Sequence, residues 1–350
     1  MPVPAEASPP PSVRERSSDR APPRPRDPYF DNAKFLAVVL VVIGHAWGPL
    51  EGLRPSDTAH LFVYTFHMPL FIVIAGHFSR SFAVKRGKVR ALMTGVAVPY
   101  LLFAAAYPLY VSMLGGAAFV WSPLSPYYLT WFLLALLMWR LSTPLWQQLR
   151  LPLVIAVVIS LVSAVVRLPD PVVTRTLGFL PFFVGGLLLT EDHFRLLRTR
   201  PARIAAVLVA GAATVTAALA EPHVNPEWIH YRHPGDQLGL SFLASFGVRA
   251  AVLMCGLVMT AAFLALVPAR RTWFTELGAA SMYVYLLHGF VILGATYAGW
   301  YTRVRELGAV GGLAVVTVLG VMLVFATGSR PARRAFRWAV EPRLDWAFRH

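Results

Sequence analysis

An all-α fold that crosses a membrane many times is what this sequence predicts, and three observations predict it. Hydrophobic residues make up 57% of the chain and charged residues only 14%, with a mean hydropathy of +0.58, a balance that suits a chain solvated mainly by lipid. The apolar residues gather into about ten runs, most of them near the length a helix needs to span a bilayer. The basic residues behind the net charge of +15 cluster between those runs, where membrane topology explains them better than a polyanionic partner does. A lipid bilayer is therefore the expected partner, and nucleic acid is not.

Taken in order, the first thirty or so residues are rich in Pro, Ser and Arg and lack the apolar core of a signal peptide. Residues 1–28 read as a disordered, basic cytoplasmic tail. Predicted helices then cover 32–50, 60–82, 90–114, 126–141, 151–167, 173–190, 202–220, 240–267, 275–299 and 307–328. The fifth and sixth are short and separated only by residues 168–172, so merging them would move every later loop to the opposite side. The charges argue against a merger. One set of loops holds Lys85, Arg86, Lys88 and Arg90, then Arg140 and Arg150, then Arg195, Arg198, Arg200 and Arg203, then Arg270 and Arg271, and last the Arg-rich tail 329–350. The other set holds Arg54, Arg167, Arg175, Arg232, Arg303 and Arg305. That asymmetry is what the positive-inside rule gives for ten helices with both termini cytoplasmic, as in a multi-pass protein of the cell membrane whose membrane domain is 29–328.

Three further segments are read with less definition. The outer loop 221–237, with Trp228 and Tyr231, suits a lid or binding surface, or an ordinary interfacial loop with aromatic anchors. The 329–350 segment suits an interfacial amphipathic helix or a solvated tail. Cys255, the single cysteine, lies in an apolar run and reads as a buried, inert thiol.

Ionisable groups inside a span are costly, so they point to function by default. Lys34 and His45 share the first predicted helix, eleven residues apart, which places them within about 20° of one face and about 16 Å apart along the axis. His67 on the second helix and His288 on the ninth fall at a depth similar to that of His45, so three helices bring histidines to one level. No carboxylate or thiolate joins them in the sequence pattern, and a metal is not expected. General-base or acyl-carrying chemistry asks for less, a single accessible imidazole. Near the cytoplasmic side lies a second group: Asp31, Asn32, Lys34, His77, Arg80, Lys85, Arg86, Lys88 and Arg90. Its cations suit the phosphates of a nucleotide-containing donor, while positive-inside topology explains the loop members equally well.

Several segments carry a resemblance. YFDNAKFLAVVLVVIGH joins a basic residue to His45, FHMPLFIVIAGHFSR leads to Ala75 and Gly76, and KRGKVR precedes Pro99 and Tyr100. TWFLLALL surrounds Trp131, and LGAASMYVYLLH ends at His288. In this order they resemble the acyltransferase 3 superfamily, in particular its branch related to fucose 4-O-acetylase, over residues 29 to 325. The resemblance implies about ten helices around a polar pore and a membrane enzyme that moves an acyl group, usually acetyl, from cytoplasmic acyl-coenzyme A. The acceptor it implies is a hydroxyl of a glycan, a lipid-linked sugar or a related molecule. It makes His45 the essential histidine and puts Lys34 where the family usually has arginine, a point charge in place of a planar fork. His77 stands where the family more often has an apolar or aromatic residue. Joined to the geometry above, it assigns catalysis to His45 with His67 and His288. The coenzyme A phosphates go to Lys34, Arg80, Lys85, Arg86, Lys88 and Arg90.

Two other classes compete: a transporter or flippase that uses the same polar interior for passage, and a sensory or structural protein, which leaves His45 unexplained. Acyl-coenzyme A hydrolysis separates the enzyme from a passive transporter. The topology is testable by reporter fusion. A C-terminal green fluorescent protein is expected to fluoresce, and alkaline phosphatase inserted in 221–237 to be active. Phosphatase activity at the C-terminus would overturn the ten-helix arrangement with both ends inside.

Overall fold

In the computed structural model, the described residues are 27–82, 86–116, 118–343 and 345–347, and among them every regular element is a helix. Helices α1 (Pro28–Trp47), α2 (Arg54–Tyr64), α3 (His67–Ser79), α4 (Arg86–Leu92), α5 (Val98–Gly115) and α6 (Trp131–Gln148) form the first half. They are followed by α7 (Pro152–Ser163), α8 (Pro171–Gly178), α9 (Leu180–Leu188), α10 (Glu191–Leu197), α11 (Arg200–Ala220), α12 (Glu227–His230) and α13 (Phe242–Leu266). The last part comprises α14 (Thr275–Gly278), α15 (Ser281–Tyr297), α16 (Trp300–Arg305), α17 (Gly308–Gly328) and α18 (Arg330–Val340). Among the described residues, eight helical stretches are long and apolar enough to cross a membrane, and α7 and α15 are shorter apolar helices. These ten segments follow the ten predicted runs in order, so the chain is an all-α polytopic membrane protein.

The differences lie at breaks and ends, and prolines explain the clearest of them. The second run starts at Arg54 and is interrupted at Thr65 and Phe66, where Phe66 leaves helical geometry at φ −133°. Pro69 lacks an N–H and crowds the carbonyl four residues back, which is Thr65. Pro99 acts the same way on the third run, whose turn Met93–Ala97 widens to a π-helix just before it. The fourth run continues to Gln148, beyond its predicted end, because Arg140 finds a partner in Ser79 at 3.3 Å instead of stopping the helix.

Two other readings change. Cys255 is exposed on α13 and not buried, since the inward face of that helix is set by Leu253, Gly256 and Met259. The C-terminal segment is not merely a solvated tail, for α18 is capped by Ser329 and tucks Ala339 and Val340 into the bundle. The 1–28 tail lies outside the described residues as far as residue 26.

Helix α1 is the axis of the bundle, packed against α3, α14, α15 and α17. Without a hydrophobic drive between helices in lipid, such packing rests on close backbone approach at small residues. One such approach joins α3 to α9, where a Cβ on Gly76 would stand 2.2 Å from the Phe183 carbonyl oxygen and one on Gly186 2.2 Å from that of Val73. Gly76→Ala is therefore expected to force the pair apart at a cost of about 1–3 kcal/mol. The apparent melting temperature in detergent should fall for Gly76→Ala and stay unchanged for Gly211→Ala, whose Cβ meets nothing within 4 Å. Equal melting of the two variants would show that the α3–α9 contact yields freely.

Candidate active site

The C-terminal end of α1 and the middle of α15 bring two imidazoles together: His45 Nδ1 lies 3.1 Å from His288 Nε2, with the rings 5.2 Å apart at 27°. His288 is fully buried and its Nδ1 lies 2.9 Å from the Val284 carbonyl oxygen one turn back. A carbonyl only accepts, so that Nδ1 carries the hydrogen. In the neutral ring Nε2 then holds the lone pair and accepts from His45 Nδ1–H. The same reasoning leaves the lone pair of His45 on Nε2, where a hydroxyl hydrogen can be received. His45 keeps partial access to the surroundings, whereas His288 does not.

Aromatic groups enclose this pair. Tyr64 meets His45 edge to face at 6.2 Å and Tyr128 lies 5.4 Å away. Tyr128 adopts φ +56°, a left-handed conformation uncommon for a bulky side chain and of the kind that gathers at functional sites. Tyr285 donates to the Leu129 carbonyl and Tyr107 to that of Leu286 at 2.8 Å, which ties the Tyr128 turn and α5 to α15.

His67 is not the third member of a contact cluster. It sits one ring away, behind Tyr64 at 4.4 Å, and its Nδ1 donates to the Val63 carbonyl at 3.0 Å, closing the end of α2 where the helix breaks. Arg175 on α8 is 8% exposed, with its guanidinium 3.8 Å above the ring of Trp131. Its Nε is buried without a hydrogen-bond partner, and no described carboxylate lies within ion-pair distance.

At the other end of α1, a cavity of about 960 Å³ is lined by Lys34, His77, Arg80, Glu191, Arg195 and Arg198 among others. Two of its cations are paired within it: Lys34 with Asp31 at 2.7 Å, and Arg198 with Asp27 at 3.2 Å. Arg80 bonds instead to neutral acceptors, the carbonyls of His77 and Leu189 at 3.1 and 3.0 Å and Nε2 of His77 at 3.3 Å. His77 donates from Nδ1 to the Leu189 carbonyl at 3.0 Å and stacks on Phe30, so this histidine aims Arg80.

The remaining predicted cations are elsewhere. Lys88 approaches Ser81 at 3.4 Å beside a smaller cavity that also holds Arg140. Arg90 pairs with Asp345, because the C-terminal segment folds back over α4. Lys85 and the side chain of Arg86 lie outside the described residues. Sequence reasoning assigned Arg195 and Arg198 to topology alone and missed their place in the cavity. It also counted Arg175 as a loop charge although it fell inside the sixth predicted helix, which was the available signal.

Asn32 fixes the cavity end of α1. Its Nδ2 donates to the carbonyls of Pro268 and Arg270 at 2.8 and 2.9 Å, and its Oδ1 accepts from Thr272 and Thr275 at 3.0 and 2.7 Å. Asn32→Ala strands these buried partners and is expected to cost on the order of 2 kcal/mol. A detergent melt should show a clearly lower midpoint, and an unchanged midpoint would mean that the turn before α14 is held by other contacts.

A family model described as an acyltransferase domain matches residues 27–327. No curated protein and no solved structure matches the chain.

Proposed function

The chain belongs to the acyltransferase 3 family, and from that premise we propose that it transfers an acyl group, acetyl in the simplest case, from cytoplasmic acyl-coenzyme A to a hydroxyl of a glycan or lipid-linked sugar. Membership makes it a membrane acyltransferase, which sets aside the transporter reading. The donor, the acceptor, the cytoplasmic placement of both termini and the fucose 4-O-acetylase-like branch are our reading.

The observation that carries it is the directed hydrogen bond from His45 to His288. With Nδ1–H committed to His288, Nε2 of His45 takes the proton of the acceptor hydroxyl as that oxygen attacks the thioester carbonyl. A C–O bond forms and the carbonyl becomes an alkoxide. Its collapse breaks the C–S bond, and the departing thiolate takes from His45 the proton that came from the acceptor hydroxyl. The imidazolium that exists between these steps is held by its bond to His288 Nε2. Arg175, a cation without a carboxylate partner, supplies positive charge to the alkoxide.

The cavity at the Lys34 end supports phosphate binding by Lys34 and Arg80, joined by Arg195 and Arg198. The approximately 16 Å rise from Lys34 to His45 is of the order of the arm that joins the phosphates of coenzyme A to its thioester. Lys85, Arg86, Lys88 and Arg90 remain candidates for the rim of that mouth. His67 takes the role of holding Tyr64 and the α2–α3 break beside His45.

Radioactive acetyl-coenzyme A added to membranes, followed by fractionation into protein, lipid and glycan, tests this reading. Wild type should label lipid or glycan. His45→Ala should lower labelling by about 10²–10⁴-fold, and Arg175→Gln by about 10²-fold with Arg175→Lys in between. Full labelling by a folded His45→Ala protein would remove His45 from the mechanism.

A further inference from the structure

Beyond the His45 end of α1, on the face opposite the Lys34 cavity, a separate pocket of about 260 Å³ is lined by Glu51, Asp57, His60 and Glu221. Its volume lies just under the roughly 300 Å³ at which small-molecule pockets begin, room for one sugar ring and not for a longer chain.

His60 is the telling residue. It is 7% exposed, and both of its ring nitrogens are buried without a hydrogen-bond partner among the described residues. A neutral imidazole has one donor and one acceptor, and leaving both unmade inside a protein is costly. A ligand able both to donate and to accept removes that cost, and a hydroxyl is such a group. The ring of His60 also stacks on Tyr64 at 3.6 Å and 13°, and Tyr64 in turn meets His45. A molecule bound to His60 therefore stands one aromatic ring from the reacting imidazole.

The remaining wall sets the ligand's charge. Asp57 accepts from the Gly52 N–H through both oxygens at 3.2 Å, and Glu221 has Arg54 at 3.9 Å. Glu51 forms no ion pair among the described residues, and partial burial together with the charges of Asp57 and Glu227 pushes its carboxyl above the usual range against the opposing charge of Arg232. A carboxylate or phosphate entering here meets like charge. Hydroxyls and ammonium groups meet acceptors and form charge-assisted hydrogen bonds.

We propose that this pocket is an outer acceptor subsite that takes one neutral or amine-bearing sugar ring, next to the ring whose hydroxyl meets His45 on the other side of Tyr64, and that His60 and the carboxylates of Glu51, Asp57 and Glu221 hold it. The inference rests on the acyl-transfer reading, and it excludes an acceptor whose ring carries an anionic group at this position.

Binding is measurable without an acyl donor. Purified protein in lipid nanodiscs is mixed with glucose, glucosamine or glucuronate, and saturation-transfer NMR reports contact with each. The variants are His60→Phe, which keeps the stack on Tyr64 and removes the ring nitrogens, and Glu51→Gln, which changes an exposed residue, and a melting curve checks that both are folded. Wild type is expected to contact glucose and glucosamine, with at least threefold less transfer to glucuronate. His60→Phe should reduce the sugar signals severalfold, and Glu51→Gln should weaken glucosamine more than glucose. Absence of sugar contact in wild type, signals unaltered in both variants, or a preference for glucuronate would each overturn the subsite. Turnover of acetyl-coenzyme A in the same nanodiscs separates the two levels. Turnover that depends on His45 with no sugar contact overturns the subsite alone, whereas His60-dependent contact without turnover overturns the transfer reading and leaves a sugar-binding pocket.

Discussion

The hydrogen bond from His288 to the Val284 carbonyl is the constraint on which the arrangement of the candidate site depends. Two imidazoles in contact inside an apolar bundle have several tautomeric arrangements, and this one backbone acceptor selects among them. Once Nδ1–H of His288 is committed to its own helix, the hydrogen bond to His45 has one direction and the free lone pair falls on the more accessible ring. The selection needs no charged partner, which a protein interior facing lipid accommodates poorly. It needs α1 and α15 to lie side by side at fixed depth, and much of the remaining packing secures that.

Both ends of α1 are held by polar contacts and its flanks by glycine. At one end Asn32 is bonded on all sides, and Gly278 lets α14 come so near that a Cβ would stand 2.0 Å from the Asp31 carbonyl oxygen. At the other end Trp47 donates to Thr317 at 2.9 Å, and Arg305 bonds the carbonyls of Pro49 and Glu51. Gly289, next to His288, has Tyr107, Tyr128 and Leu129 within 2.8 Å of where its Cβ would be. Any larger residue there would push out the left-handed Tyr128 whose ring borders His45. The strained turn and the glycine are two halves of one contact.

How much of this was legible in the sequence follows from the range of each interaction. The apolar runs were legible because lipid acts on every span alike, whereas the break before His67 falls inside the predicted helix 60–82, where Pro69 was the available signal. The depth argument placed three histidines at one level but carried no rotation about the helix axes, so it did not separate the touching pair from His67 behind Tyr64. The basic mouth was read as one set of charges. Its division into Lys34 with Asp31, Arg90 with Asp345, and Arg80 held by His77 depends on which helices meet, which composition does not encode. His60 gave no local signal at all, since its significance lies in partners it lacks.

Charge is distributed along the bundle in a way that bears on the proposed reaction. The Lys34 end presents guanidinium and ammonium groups, the pocket around Glu51 presents carboxylates, and between them Arg175 lies over Trp131 without an ion-pair partner. A polyanionic donor is favoured at the first end and disfavoured at the second, and a neutral or cationic acceptor the reverse. In the proposed reaction each substrate would thereby be kept to its own side by long-range electrostatics, which act weakly through water and strongly through a low-dielectric bundle. The unpaired guanidinium costs free energy while the site is at rest, and that cost is offset only when negative charge develops beside it. In the transfer proposed above the alkoxide is such a charge, whereas a permanent carboxylate in the same place would neutralise Arg175 before the reaction began.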